Sequence, residues 1–444
     1  MKFKPQYLLI PLLMLVGYFF VKWSMPRYTG MYLLSLLLVV GDIYLWSAFR
    51  KRVFSYNKWL KLLLIVVYWL PLMAAGFAIA GAVVVPIVEW NDVFRNYLFG
   101  SILVVYTAKL LPILFLLLAD TARIIGRSFH LSKKDKRREI NKEQEGITRS
   151  KFLQYIGFLS GGLVMGTMFV GMFKWVFEFK VHREKIPIAG LPERFEGLKI
   201  VQISDFHLGN WGLTKPMDEA IATIMELKPD MIVFTGDLVT FSTREAFRFE
   251  QQLKKLKAPM GVYATLGNHD YGLYVTWPDD AARKKNMTDL YDFFNRIGWK
   301  LLNNEHVIFG EGDEQLALIG VENWGASKRF PKYGDIDKAI QGTENVPAKI
   351  LLSHDPSHWD KVIVPGNYPI DLTLSGHTHG FQFGLESQKI KWSPAQYVYK
   401  HWAGLYRHPM THHYLYVNRG IGSIGYPGRI GILPEITLLE LRKG

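Results

Sequence analysis

The chain has 444 residues, 49% of them hydrophobic, which leaves room for two or three domains, and it contains no cysteine. The missing thiols exclude disulfides, a cysteine nucleophile and thiolate-bound zinc. The net charge of +14 lies in one half: residues 1–185 hold 25 Lys and Arg against 10 Asp and Glu (+15), whereas residues 186–444 hold 28 against 29 (−1). A nucleic-acid binder should carry its basic patch on the soluble half, so nucleic acid is not expected as a partner.

From the amino terminus, five apolar segments have the length needed to cross a bilayer: approximately 7–23, 28–49, 62–86, 97–118 and 153–177. Pro11 interrupts the first, and a cleaved signal peptide is its rival reading. A second apolar run follows almost at once and no cleavage site is evident, so an uncleaved span is expected. Lys and Arg orient the spans. The loop at 50–61 carries Arg50, Lys51, Arg52, Lys58 and Lys61, the loop at 87–96 carries Glu89 and Asp92 with only Arg95, and the loop at 119–151 contains "KKDKRR" at 133–138. The alternation inside, outside, inside puts the amino terminus in the cytoplasm of a multi-pass cytoplasmic-membrane protein. Residues 186–444 then lie on the extracytoplasmic side.

The stretch "ITRSKFLQYIGFLSGG" (147–162) resembles a twin-arginine export signal in which Ser150 replaces the second arginine. Gly157 with Gly161, and Gly162 with Gly166, have the four-residue spacing that lets helices approach closely. Asp42 and Lys109 fall inside spans two and four at similar depth, and such charges are costly unless paired or hydrated. A buried Asp42–Lys109 ion pair is one reading, and side chains reaching for the interface are the other.

Beyond residue 198, short apolar runs end repeatedly in polar clusters. "LKIVQIS" precedes "DFHLG", "MIVFT" precedes "GD", "GVYATL" precedes "GNHD", "KILLS" precedes "HDP" and "DLTLS" precedes "GHTHG". "PMDEAIATIMELK" (216–228) opens with proline as a helix start does, and 245–257 also has helical spacing. Strands alternating with helices imply a largely parallel sheet. In such a sheet the loops after the strands' carboxyl ends gather on one edge, where ligands bind. Each cluster alone reads as a turn, but turns do not call for His207, His269, His354, His377 and His379 in order. Oxygen and imidazole donors without thiolate suit manganese, zinc or iron. There are too many for one tetrahedral ion. Two ions bridged by a carboxylate would use them all. In "GHTHG", His377 and His379 are two residues apart; a regular strand would place both on one face, and the flanking glycines allow a freer backbone course.

These motifs across roughly 196–444 resemble the calcineurin-like metallophosphoesterase family. The resemblance implies an α/β fold, a sandwich of two sheets flanked by helices, here preceded by an α-helical membrane region at 1–185. It implies that Asp205, His207 and His379 bind one divalent metal ion, that Asn268, His354 and His377 bind a second, and that Asp237 bridges them. His269 would face the substrate as a catalytic residue, with Asp270 orienting it. Thr240 departs from the family's Gly-Asp-x-x-Asp, which here reads "GDLVT". The ending "YVNRGIGSIGYPGRIGILPEITLLEL" (416–441), with membrane segments ahead of the domain, is similar to membrane-associated bacterial phosphoesterases of the YkuE and YaeI type. The several spans resemble an animal transmembrane protein with a metallophosphoesterase domain.

The expected activity is a membrane-anchored two-metal phosphohydrolase. A metal-bridging hydroxide attacks a phosphoester or pyrophosphate, and a protonated His269 assists the leaving group. The bilayer is the expected partner, and tethering to it favours lipid-linked phosphorylated substrates. A phosphodiesterase acting on soluble nucleotides or wall polymers is the alternative, as is a non-catalytic membrane sensor or transporter with a metal-binding domain. Arg429 in "PGRIG" has two readings, a phosphate contact or a structural salt bridge. The aromatic segment 391–406 has two also, resting on lipid or packing on the sheet. His358, His401, His408, His412 and His413 belong to no motif.

Overall fold

The computed structural model describes residues 6–24, 26, 29–131, 149–387 and 389–444. The basic run 133–138 and the start of the export-like segment lie outside the described residues. The chain forms two compact units: residues 1–89 with 97–169, and residues 90–96 with 170–444.

Helices α1 (Gln6–Ser24), α2 (Thr29–Phe54), α3 (Lys58–Val84) and most of α4 (Asp92–Leu131) and α5 (Arg149–Phe173) lie in the first unit. Among the described residues, four segments are long and apolar enough to cross a membrane: Thr29–Phe54, Lys58–Val84, Asp92–Ile125 and Lys151–Phe177. Helix α1 covers the first apolar segment. Of the two glycine pairs, only one makes a close approach. A Cβ on Gly161 would lie 2.8 Å from the Ala108 carbonyl oxygen, and one on Gly157 2.9 Å from Phe115 Cβ, whereas Gly162 and Gly166 meet nothing within 4 Å.

The two intramembrane charges meet. Lys109 Nζ lies 2.6 Å from Asp42 Oδ1, and the Asp42 carboxylate is fully buried. The Tyr106 hydroxyl donates to Asp42 Oδ2 (2.7 Å) and the Tyr68 hydroxyl to the Asp42 carbonyl (2.6 Å). Lys109 also sits over the rings of Tyr68 and Tyr106, at 4.6 and 4.8 Å from their centroids. Three helices, α2, α3 and α4, thus share one neutral, hydrogen-bonded charge pair.

The second unit contains β1 (Lys180–Ile188), β2 (Lys199–Ile203), β3 (Met231–Phe234), β4 (Val262–Ala264), β5 (Lys300–Leu301), β6 (Glu305–Glu311), β7 (Glu314–Gly320), β8 (Ala348–Leu352), β9 (Leu372–Ser375), β10 (Leu385–Glu386), β11 (Lys391–Trp392), β12 (Gly404–Arg407), β13 (Tyr414–Val417) and β14 (Glu435–Lys443). Two six-stranded sheets result, ordered β1-β14-β2-β3-β4-β5 and β12-β13-β9-β8-β7-β6. Strands β2, β3 and β4 run parallel, as do β7, β8 and β9. Strand β14 pairs parallel with β1 and antiparallel with β2.

The two-residue period of the strands builds three apolar layers. Ile200, Met231 and Val233 face Ile350, Leu352 and Leu374 between the sheets. Their neighbours Val201, Ile232 and Phe234 face outward onto α6 (Lys215–Glu226) and α9 (Asp280–Ile297), and Leu351 and Val417 face a third cluster on the far side. This is the two-sheet sandwich that the sequence led us to expect. The helical spacing at 245–257 resolves into two short helices, α7 (Arg244–Phe247) and α8 (Glu250–Leu253).

Candidate metal centre

Five loops converge where β2, β3, β4, β8 and β9 end. The two sheets approach closely there. Gln202 Nε2 donates across to the Ser375 carbonyl at 2.9 Å, and a Cβ on Gly376 would fall 2.0 Å from Ser204 Oγ. Strand β9 stops at Ser375, so His377 and His379 lie in the loop beyond it rather than on one strand face. Five donor residues have left-handed backbones: Asp205 (φ 53°), His207 (46°), Asp237 (61°), His377 (71°) and His379 (51°). For a residue with a Cβ this costs about 1–2 kcal/mol each. Side chains at alternate positions along a strand cannot all turn to one point, but residues in these tight turns can.

The Asp270 carboxylate fastens one turn to another. It accepts hydrogen bonds from the backbone amides of Asp237 (2.9 Å), Leu238 (2.8 Å), Val239 (3.3 Å) and Gly267 (2.8 Å). Burial, and the neighbouring Asp237 carboxylate, push the Asp270 carboxyl up to about 7.

The donor atoms form two groups, Asp205 with His207 and His379, and Asp237 with His354 and His377; within each, the atoms lie within 4.8 Å of one another. His207 Nε2 stands 3.0 Å from His379 Nε2, and His379 Nε2 stands 3.2 Å from Asp205 Oδ1. Asp237 Oδ2 reaches into both groups, at 3.5 Å from His207 Nε2 and 3.1 Å from His354 Nε2. His377 presents Nδ1 to His354 Nε2 at 3.3 Å. All six side chains are nearly or fully buried.

Burial holds His207 and His377 below the usual imidazole range, so both offer lone pairs at neutral pH. Burial alone would raise Asp205 and Asp237. The imidazole of His379 reverses this for Asp205, and those of His354 and His269 reverse it for Asp237, so both carboxylates stay ionised. His354 responds in the opposite sense. Burial would lower it, but Asp237 lifts it to about 10.

These residues fit a pair of divalent ions. Two imidazole nitrogens facing each other at 3.0 Å, with two carboxylates beside them, concentrate lone pairs at a point that calls for positive charge. Asn268 adds to the fit: Nδ2 donates to the Tyr274 hydroxyl (2.8 Å), while the buried Oδ1 accepts no hydrogen bond. A buried amide oxygen without a hydrogen-bond partner has the chemistry of an oxygen donor to a metal ion.

The sequence carries the same signature in both units. Residues 198–381 match the calcineurin-like phosphoesterase family, and residues 27–175 match a family described as the probable calcineurin-like phosphoesterase transmembrane domain. The uncharacterized metallophosphoesterase YkuE of Bacillus subtilis is 34% identical over 257 residues, covering 57% of this chain and 82% of that protein. The chain belongs to the calcineurin-like phosphoesterase family. The Danio rerio transmembrane protein with metallophosphoesterase domain is similar too, 31% identical over 270 residues that cover 60% of this chain and 57% of that one. So is the UDP-2,3-diacylglucosamine pyrophosphatase LpxG of Chlamydia muridarum, 29% identical over 279 residues that cover 52% of this chain and 81% of that one. The protein is therefore a membrane-associated, metal-dependent phosphohydrolase.

Around the phosphoesterase's donor groups, three expectations change. Asp270 does not orient the His269 ring: its bonds go to backbone amides, and His269 Nδ1 meets the Thr240 carbonyl oxygen at 2.8 Å. Arg429 makes no salt bridge among the described residues. It is wholly buried and donates to the carbonyls of Arg419, Gly420, Gly422 and Leu433, with Nη2 3.3 Å from His379 Nδ1. The segment 391–406 is split, since Ala395, Trp402 and Ala403 form a small core with Ile432 while Tyr397 and Val398 are exposed.

Of the histidines without a motif, His358 is buried against Ser353 and His401 is bonded to Asp360. Three further residues belong to the site. Tyr399 meets His377 Nε2 at 3.0 Å, Asp355 lies 3.6 Å from the same atom, and Tyr274 stacks on His269. Asp355 could be read from "HDP"; nothing local marks either tyrosine.

Proposed function

We propose that Asp205, His207 and His379 hold one divalent ion, that Asn268, His354 and His377 hold a second, and that Asp237 bridges them, in a membrane-anchored enzyme cleaving phosphoester or pyrophosphate bonds. The observation that carries this reading is the position of Asp237, whose Oδ2 faces His207 from one donor group and His354 from the other. Bound manganese, zinc or iron would supply neutralising charge and a water acidic enough to attack near neutral pH. The protein's own contribution is positioning. Tyr399 and Asp355 fix which nitrogen His377 turns inward, as outer partners of ligands do. The Thr240 carbonyl accepts Nδ1–H of His269, leaving Nε2 to assist the departing oxygen.

The substrate reading follows from a groove beside His377. Its volume is about 600 Å³, and Arg329, Lys361, Lys400, Phe330, Val398 and Tyr399 line it. Asp355 and Asp360 line it too, and Asp360 lies 3.8 Å from Lys400, which leaves Arg329 and Lys361 as the basic side chains beside apolar ones that suit a second phosphate attached to an apolar body. Phe381, whose ring lies 6.3 Å from that of Tyr399, is exposed, as are Phe383 and Leu385. The likeness to a protein named as a diacylglucosamine-nucleotide pyrophosphatase points the same way. We therefore favour lipid-linked pyrophosphates over soluble nucleotides or wall-polymer diesters.

The charge alternation of the loops supports an extracytoplasmic position for the catalytic domain, residues 186–444. The grouping of residues 90–96, from the loop assigned to the outer side, into one compact unit with 170–444 supports the same reading.

The test is turnover by the full-length protein in detergent, with manganese or zinc, on an acylated nucleotide-sugar pyrophosphate, a soluble nucleotide diphosphate and bis-p-nitrophenyl phosphate. Preference for the acylated substrate supports the reading. Equal turnover of the soluble nucleotide overturns the lipid assignment, and no metal-dependent turnover of any of the three overturns the enzyme.

A further inference from the structure

Glu245 is a buried carboxylate that the two-metal chemistry does not use. It lies at the start of α7, is 2% exposed, and is bound by backbone amides from two loops. Its Oε2 accepts from Gly209 (3.1 Å) and Thr240 (2.6 Å), and its Oε1 from Phe241 (3.1 Å). Gly209 lies two residues after His207, and a Cβ there would fall 2.3 Å from Glu245 Cδ, so the carboxylate is pressed against that turn. Thr240 is the residue whose carbonyl receives His269. It also stands where the family's second aspartate is absent.

The segment 90–96 closes the same arrangement from the other side. It comprises the end of the α3–α4 connection and the first residues of α4, yet it packs within the catalytic unit. Arg95 is 3% exposed. Its Nη2 is 3.3 Å from the Gly209 carbonyl and 3.0 Å from Asp92 Oδ1, and its guanidinium covers the Phe241 ring at 5.3 Å. Asn96 Nδ2 donates to the same Gly209 carbonyl at 2.5 Å. Arg95 therefore touches two of the three residues whose amides bind Glu245, while its charge opposes the cost of burying that carboxylate. Burial, with Asp92 adding to it, outweighs the Thr240 amide, Arg95 and the Phe241 amide and leaves the Glu245 carboxyl raised to about 7. Arg248 is the other charged group acting on it.

We propose that Arg95 and Glu245 form a positioning device for His269, linking the first turn of helix α4 to the Thr240 carbonyl that sets the histidine's ring. The order of dependence is Arg95, then Glu245 with its three amide bonds, then the Thr240 backbone, then the His269 tautomer. Neither residue touches substrate. This inference rests on His269 acting on the leaving group.

The experiment uses full-length protein, manganese-loaded, with bis-p-nitrophenyl phosphate as the probe. Arg95→Gln and Glu245→Gln should each lower kcat about tenfold, the lower end of what supporting residues of a site contribute. KM should change less than twofold, and both ions should remain bound by metal analysis. The acid limb of the kcat profile should move to higher pH in Arg95→Gln, because Glu245 must stay ionised to accept three amides and loses its opposing charge. Arg95→Lys should recover part of the loss, which keeps the test informative if Arg95→Gln folds poorly.

The decisive comparison is in the His269→Ala background, where Arg95→Gln should have no further effect because both changes act through one group. The same tenfold loss in both backgrounds, an unmoved acid limb, or loss of a metal ion in Arg95→Gln would overturn the proposal. Unchanged kcat in His269→Ala would instead remove the histidine's role, and this inference with it. A harmful His269→Ala beside a wild-type Arg95→Gln would remove this inference alone.

Discussion

The protein buries ionisable groups in two places, and they obey opposite rules. Among the membrane helices, Asp42 meets Lys109 at 2.6 Å, and two tyrosines complete the arrangement, so charge and hydrogen bonding are both satisfied from within. At the strand ends, Asp205 and Asp237 stand among His207, His354, His377 and His379, and donors face donors, down to two imidazole nitrogens 3.0 Å apart. The first arrangement is closed, and the second is completed from outside. Burial alone therefore does not mark a site. What marks one is a surplus of one kind of partner.

The largest way to break the contrast is Asp237→Ala. It removes the carboxylate common to both donor groups, so turnover should fall to background and the bound metal, measured by elemental analysis, should drop below two per chain. Next are Asp42→Asn and Lys109→Met. Each leaves an uncompensated charge or its partner in hydrocarbon and should destabilise the first unit by about 3–5 kcal/mol, measured by unfolding in detergent. Their double replacement by leucine should restore most of that stability, since a closed pair can be exchanged for apolar packing. No apolar replacement of two metal ligands should restore turnover.

His269→Ala should cost about 10²–10⁴ in kcat while both ions remain bound, which a ligand substitution cannot do. Tyr399→Phe should weaken metal binding by about tenfold, read by competition with a chelator, because His377 loses the partner that orients it. The smallest effect belongs to Arg329→Ala with Lys361→Ala. It should raise KM for a pyrophosphate substrate and leave KM for p-nitrophenyl phosphate unchanged.

Much of this was legible before the structure. Strand ends carrying Asp-x-His, Asn-His and His-x-His announced the convergent edge, because parallel strands bring their following loops together. The pairing of Asp42 with Lys109 was readable from depth. Other features were not. Tyr399 lies 22 residues beyond His377 in an aromatic stretch, where only the fold selects it. Glu245 looked like one charge on a helical pattern, because its amide partners belong to loops that the chain leaves and revisits. Asp270 was assigned to its sequence neighbour, His269, yet three of its four bonds run to the turn 31 to 33 residues earlier, by which it holds the Asp237 loop. Adjacent residues in a tight turn point apart, and adjacency misled for that reason.

Strand β14 lies between β1 and β2, though about 230 residues of chain separate it from β2. At roughly 5–20 residues per second on the ribosome, the first sheet stays divided for tens of seconds, with two unpaired strand edges waiting for their middle member. Such edges invite pairing with other chains. A growing polypeptide of this kind needs shelter until its last strand is made, and a premature stop before residue 435 would leave the sheet permanently in two pieces.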